Sequence, residues 1–163
     1  MVIKPQEELI LPNLIKFYNR KKNYLLFNKI VIIGEGAPLR NYEHFAVRYS
    51  ADKNLYLKVN ERRVHIHTDY QSQLKAFGKK MFDPFRRGNK IKFMMGDKNI
   101  ETTLRQLNFM KWIIENEYYK YVEKCAKDIE KHYKQYKLKK KKKPVKIHKN
   151  IMQSAVSLKI DFS

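Results

Sequence analysis

The sequence predicts an α+β fold: a small, mostly antiparallel sheet with a covering helix, one long C-terminal helix, then a basic linker and a closing strand. Three observations lead there. Residues 43–69 and 90–95 alternate apolar and polar side chains, as half-buried antiparallel strands do. Residues 69–82 and the stretch from Thr103 onward carry apolar residues at helical spacing. Gly and Pro number 5 each, too few for collagen-like, Gly-rich or Pro-rich architectures.

The first twenty residues predict a short helix. Pro12 suits its first turn, where a missing N–H costs little, and Leu11, Leu14, Ile15 and Tyr18 follow at helical spacing. Residues 28–34 form a β-branched run stopped by Gly34 and Gly36, the pattern of a buried strand. From residue 43, Phe45, Val47 and Tyr49 alternate with polar neighbours. Leu55, Leu57 and Val59, then Val64, Ile66 and Thr68, do the same. With turns at 51–54 and 60–63, this predicts a meander of three or four strands. Residues 69–82 predict a helix with Thr68 or Asp69 as N-cap, ended by Asp83-Pro84. Residues 90–95 predict a strand, and the turn at 96–99 a hairpin. Thr103-Leu-Arg-Gln106 matches a capping box. From there Leu107, Met110, Ile114, Tyr121, Cys125 and Ile129 predict one helix from about residue 103 to 136. At about 1.5 Å per residue it would outrun a domain of this size, so its second half should project or pack on a partner. Residues 154–162 alternate again and read as a terminal strand returning to the sheet. The expected division is one domain over 1–133, a Lys-rich linker over 134–150 and a closing strand within 151–163.

Charge sets the functional class. Lys and Arg total 36 against 16 acids, a net charge of +20. Such an excess predicts an anionic partner: nucleic acid first, an acidic protein surface or anionic membrane second. The single cysteine, Cys125, excludes an intramolecular disulfide and a multi-Cys zinc site, and its place on the apolar stripe reads as core. The N-terminus lacks a signal-peptide pattern, and the longest apolar runs are too short for a membrane span.

Two basic constellations stand out. Residues 134–149 hold nine lysines and no acid, with an unbroken run at Lys139, Lys140, Lys141, Lys142 and Lys143. Self-repulsion should leave this segment disordered or loosely helical until it meets an anion. Its functional reading is phosphate-backbone binding with counterion release; its bland reading is a solvated or nuclear-address segment. Lysine is a point charge, so little base specificity is expected. The second constellation is Lys75, Lys79, Lys80, Arg86, Arg87, Lys90 and Lys92, interleaved with Phe77, Phe82, Phe85 and Phe93 and opposed by Asp83 alone. Cations beside aromatics can grip single strands by stacking. The competing reading has the phenylalanines pinning a turn into the core while Asp83 holds an arginine or caps that turn.

Catalytic signatures are absent: there is no nucleophile elbow, P-loop or zincin motif. Gly34-Glu-Gly36 after a strand suggests a dinucleotide loop, but it lacks a third glycine and Pro38 follows. His65 and His67 on one strand face could chelate zinc with a third ligand such as His44, Glu61 or Asp69; ordinary solvent-face histidines fit as well. Asp69, Asp83, Asp97 and Glu101 are the acids a metal nuclease would need to gather. Trp112, Tyr118, Tyr119 and Tyr121 read as packing or a protein interface.

YQSQLKAFGKKMFDPFRR over residues 70–87 and ETTLRQLNFMKW over residues 101–112, continued by Ile-Ile-Glu-Asn116, resemble strings in a protein family of large nucleocytoplasmic DNA viruses. The resemblance runs over about residues 10–163. It implies a basic linker and a closing strand. The family pattern prefers a cysteine where Arg86 stands and an aromatic where Met110 stands, so any role of that cysteine is missing here. The family has no established activity, so no catalytic residue carries over. The resemblance implies a viral protein made in an infected cell, working in the nucleus or a cytoplasmic viral factory, or packaged in the virion.

The sequence therefore points to a non-enzymatic binder of nucleic-acid backbone, DNA ahead of RNA, serving genome packaging or viral gene regulation. The contact residues would be Lys79, Lys80, Arg86, Arg87 and the five lysines at 139–143. No cofactor or metal is expected. The rival reading is a minor capsid or scaffold protein joining viral structural proteins through the long helix; a nuclease ranks third.

Overall fold

The computed structural model describes the backbone of residues 5–157 and the side chains of residues 6–141. The chain divides into two compact units, Met1–Ile129 and Glu130–Ser163. In order, the elements are α1 (Pro5–Tyr18), α2 (Lys21–Phe27) continued by a π-helical turn (Asn28–Ile33), and α3 (Leu39–His44). A second π-helical turn (Phe45–Tyr49) leads into α4 (Ser50–Asp52). Then come β1 (Tyr56–Val59), β2 (Arg62–His65), α5 (Ile66–Phe77), α6 (Lys79–Phe82), β3 (Ile91–Met95), β4 (Lys98–Thr102), α7 (Leu104–Glu115), α8 (Tyr118–Lys124) and α9 (Ala126–Ser157). The class is α+β, and both strand pairs among the described residues are antiparallel.

The axis of the first unit is α7. Thr103 caps it, its hydroxyl oxygen accepting the Gln106 N–H at 3.2 Å. Leu104, Leu107, Asn108, Phe109, Met110, Trp112, Ile113 and Ile114 are all buried, so the helix is covered on nearly every side. Helices α1, α2 and α6 pack on it. Tyr18 from α1 reaches across to donate its hydroxyl to the Leu107 carbonyl at 2.7 Å. An aromatic layer of Tyr70, Phe82, Phe109, Trp112 and Tyr118 surrounds it, with neighbouring rings in mostly tilted or edge-on contact.

Both expected hairpins form where period two coincides with turn chemistry. Asn60 and Glu61, at φ 49° and 64°, make the two-residue loop between β1 and β2. Gly96, at φ 63°, opens the loop between β3 and β4. They are two separate two-stranded sheets, not one meander.

Several expectations are overturned. Residues 28–33 are π-helical and not a strand. Phe27 and Ile30 face the core while Ile32 and Ile33 are exposed, so no second face is available to bury. Residues 43–50 are helical as well: Tyr42, Phe45, Ala46 and Tyr49 are buried at i, i+3, i+4 and i+7, and that period outweighs the alternation. Residues 66–68 open α5, and His65 takes the N-cap position expected of Thr68 or Asp69. Pro12 lies inside α1 on its exposed side, not in the first turn. The helix expected over 69–82 is split by Gly78, at φ 77° and ψ 163°, a region essentially restricted to glycine.

The helix expected over 103–136 is three helices. Glu117 adopts φ 58° and ends α7, and the chain bends again at Cys125. The first break turns Tyr118 inward. Its hydroxyl donates to Asp69 Oδ2 at 2.7 Å, and the Trp112 indole N–H donates to the same oxygen at 2.9 Å. Two parallel contacts follow: Tyr42 donates its hydroxyl to Glu123, and Tyr49 donates to Asp128. Residues 134–157 continue α9, so the backbone of the lysine run is helical, the second of its two expected states, and 154–157 are helix where a strand was expected. The rest of the expected closing strand, 158–163, lies outside the described residues.

Burial holds these phenols neutral. Desolvation raises Tyr18 well above its ordinary range. Tyr70 is pushed up to about 12 by desolvation and then by Glu43 and Asp83. Tyr42, Tyr49 and Tyr118 rise further, from desolvation first and their carboxylate partners second. In the unfolded chain all of them ionise near pH 10, at about the ordinary phenol value. Above that pH the unfolded state holds fewer protons than the folded one, so stability present in full below about pH 10 falls as pH rises towards the folded values. In an alkaline titration, accessible tyrosines should ionise reversibly first. The buried ones should ionise only in a cooperative step that coincides with loss of helical circular dichroism. A single reversible phenolate transition with the helices retained would contradict the packing described.

Candidate nucleic-acid interface

The first basic site is built by Gly78. Its backbone redirects the chain so that α6 buries Met81 and Phe82 and leaves Lys79 and Lys80 exposed. Phe77 stacks on Phe82 with centroids 6.0 Å apart. Asp83 then shapes the following turn, its Oδ1 accepting the Phe85 N–H at 3.0 Å, and Pro84 is buried. Asp83 thus caps the turn, the second of its two expected roles. Arg86 and Arg87 emerge exposed beyond it. Phe85 does not join the core: it is 53% exposed beside them.

Lys75, Lys79, Lys80 and Arg86 line one shallow open depression with Gln6, Phe77 and Gly78. Arg87 is outside that lining. Among the described residues no ion pair is formed by these five cations. The geometry assembles an open basic depression, and the exposed aromatic Phe85 adjoins Arg86 in the chain.

One residue beneath it escaped the sequence reading. Arg105, in the first turn of α7, donates Nε–H to the Lys80 carbonyl at 2.9 Å. Its guanidinium lies so close to Gly88 that a Cβ there would sit 2.1 Å from Nη1. Nη1 is buried without a hydrogen-bond partner. A signal existed: a cation in a first helical turn opposes the helix dipole and wants a reason. Here the reason is the Lys80 carbonyl within α6.

The second basic site is on α9 in the second unit. Lys139, Lys140 and Lys141 are exposed. Lys140 Nζ lies 5.9 Å from the Tyr136 ring centroid, and Lys137 Nζ lies 5.6 Å from that of Tyr133. Lys142 and Lys143 belong to the helix by backbone. Consecutive helical residues step about 100° around the axis, so a run of this kind does not confine its charge to one face. The five lysines place like charges three and four residues apart, each pair unfavourable by about 0.2–0.5 kcal/mol. A polyanion removes that penalty.

The other candidates resolve into structural roles. His65 and His67 do not share a strand, since His67 is in α5. His65 uses both ring nitrogens, Nδ1 to the Thr68 hydroxyl at 2.6 Å and Nε2 to Asn54 Oδ1 at 2.8 Å. Gly36 does not cradle a nucleotide: the Ala37 N–H donates to the Glu123 carboxylate at 3.2 Å, and Glu123 fills the space beside Gly36. Asp69 is engaged by Trp112 and Tyr118, both buried. No group of three or more His, Cys, Asp or Glu side chains that could hold a metal occurs among the described residues. Nor is any helix among them long and apolar enough to cross a membrane.

Comparison with known proteins adds context. A family model described as a family of unknown function (DUF7197) matches residues 3–160. An uncharacterised protein of Acanthamoeba polyphaga mimivirus, L507, is 29% identical over 167 residues, covering 96% of this chain. The chain spans 64% of the length of that relative. No solved structure matches.

The Arg105–Gly88 contact is testable. Gly88→Ala should displace the guanidinium and break its bond to Lys80, costing about 1 kcal/mol in denaturant unfolding. In an Arg105→Ala background the same substitution should be neutral. Equal losses in both backgrounds would refute the contact.

Proposed function

The chain belongs to the family of unknown function DUF7197, and from that premise we propose that it is a non-catalytic viral protein that binds the phosphate backbone of nucleic acid with little sequence preference. DNA ranks ahead of RNA, and genome packaging or viral gene regulation in the infected cell is the setting. The observation that carries this reading is the surface at Lys75, Lys79, Lys80 and Arg86. These exposed cations converge on one depression without an ion pair among the described residues, beside an exposed Phe85. The net charge of +20 and the lysine run on α9 supply a second contact. The similarity to a mimivirus protein supports the viral setting. The scaffold alternative draws less support, because of the aromatics expected to do the joining Trp112 and Tyr118 are buried and Tyr119 and Tyr121 are half-buried against the core.

The test is a salt-titrated gel shift with duplex and single-stranded probes of several sequences. Binding should weaken linearly in log–log form, with a slope of about −0.9 per phosphate contacted on duplex DNA. Replacing Lys139, Lys140, Lys141, Lys142 and Lys143 by Gln should weaken binding by the same factor for every sequence and flatten the slope. Replacing Lys79, Lys80 and Arg86 by Gln should do so independently. Absence of binding in dilute buffer, or a loss confined to one sequence, overturns the reading. Salt-insensitive oligomers without nucleic-acid affinity would favour the scaffold role.

A further inference from the structure

The β1–β2 hairpin carries a third basic surface that neither the lysine run nor the α6 region includes. Register places Tyr56 opposite His65 and Lys58 opposite Arg63, so these four side chains share one face. Leu57, Val59 and Val64 are half-buried and pack against the core. The outer face therefore holds two permanent cations and two rings. The only acid of the hairpin is Glu61, in its loop.

Two features of that face conflict with a purely structural role. Lys58 and Arg63 are like charges directly across an antiparallel pair, an unfavourable arrangement in a short hairpin that has little stability to lose. Neither forms an ion pair among the described residues. Meanwhile the rings are held in place. His65 is anchored at both nitrogens, to Thr68 and Asn54, and its ring lies 4.7 Å from that of Tyr56. The Arg63 guanidinium carbon lies 4.3 Å from the Tyr56 centroid, in cation–π contact. A guanidinium held by its face keeps N–H edges for bidentate contact with phosphate. Tyr56 remains 42% exposed. An anchored aromatic edge beside two uncompensated cations matches how single strands are held, with phosphates on the cations and bases against the rings.

We propose that the outer face of the β1–β2 hairpin is a contact site for single-stranded nucleic acid, in which Arg63 and Lys58 hold backbone phosphates and the Tyr56–Arg63 stack receives a base. This rests on the preceding reading of the chain as a nucleic-acid binder and adds a preference for single strands.

The experiment uses the full chain, an oligothymidylate and a duplex of equal length, followed by fluorescence anisotropy across a salt series. Lys58→Ala/Arg63→Ala should lower oligothymidylate affinity about tenfold and flatten its salt slope by about 1.4, at roughly 0.7 per lost phosphate contact on a single strand. Duplex affinity should fall by a smaller factor. Arg63→Lys keeps the charge without the planar stack, so its loss should be intermediate. Circular dichroism matching wild type confirms that each variant folds. If the wild type binds both probes but the double variant binds oligothymidylate equally well, the hairpin site is overturned. If both probes lose the same factor, the single-strand preference is overturned. If the wild type binds neither, the nucleic-acid reading itself has failed.

Discussion

The first unit depends on where its few carboxylates go. Asp69 accepts hydrogen bonds from Trp112 and Tyr118, residues on either side of the break at Glu117. Without that anchor, nothing in the apolar pattern of residues 104–129 demands that the helix bend. Glu123 and Asp128 repeat the device from α8 and α9, each receiving a tyrosine from the segment 42–49. Hydrogen bonds to a charged acceptor are each worth about 1.5–3 kcal/mol when partly shielded from water. Four such bonds, to three carboxylates, hold the irregular helices in register.

The same arrangement shapes the exterior. In a chain with 16 acids against 36 Lys and Arg, every carboxylate turned inward is one that does not neutralise the surface. Asp83 goes to a turn and Asp69 to the core. The basic surfaces at α6 and on the β1–β2 hairpin stand without ion pairs among the described residues. Internal order and external charge are two results of one distribution.

What the sequence revealed follows the same logic. The hairpins were legible because period two met turn residues, as at Asn60-Glu61 and Gly96-Asp97. The start of α7 was legible because Thr103 and Gln106 keep capping spacing. Residues 43–50 misled because Phe45 and Tyr49 satisfy both periods, and only burial of Tyr42 and Ala46 selects the helical one. The break at Glu117 was illegible because neither Gly nor Pro marks it; its cause is Asp69, nearly fifty residues away. For the candidate site, charge density located Lys79, Lys80 and Arg86, but composition alone could not exclude Arg87 from the depression or draw Arg105 beneath it. The hairpin face escaped notice because its meaning is in cross-strand register, which a linear reading does not contain.

The chain has one tryptophan, and it occupies the most informative place available. Trp112 is buried, bonded through its indole nitrogen to Asp69 and set edge-on to Tyr118 at 5.1 Å. No other indole emits, and residues 130–163 contain none. Tryptophan emission, excited beyond the tyrosine absorption band, is therefore a private channel to the first unit. Circular dichroism sums over all the helices, so the two signals set the first unit against the whole chain in one cuvette without attaching a dye.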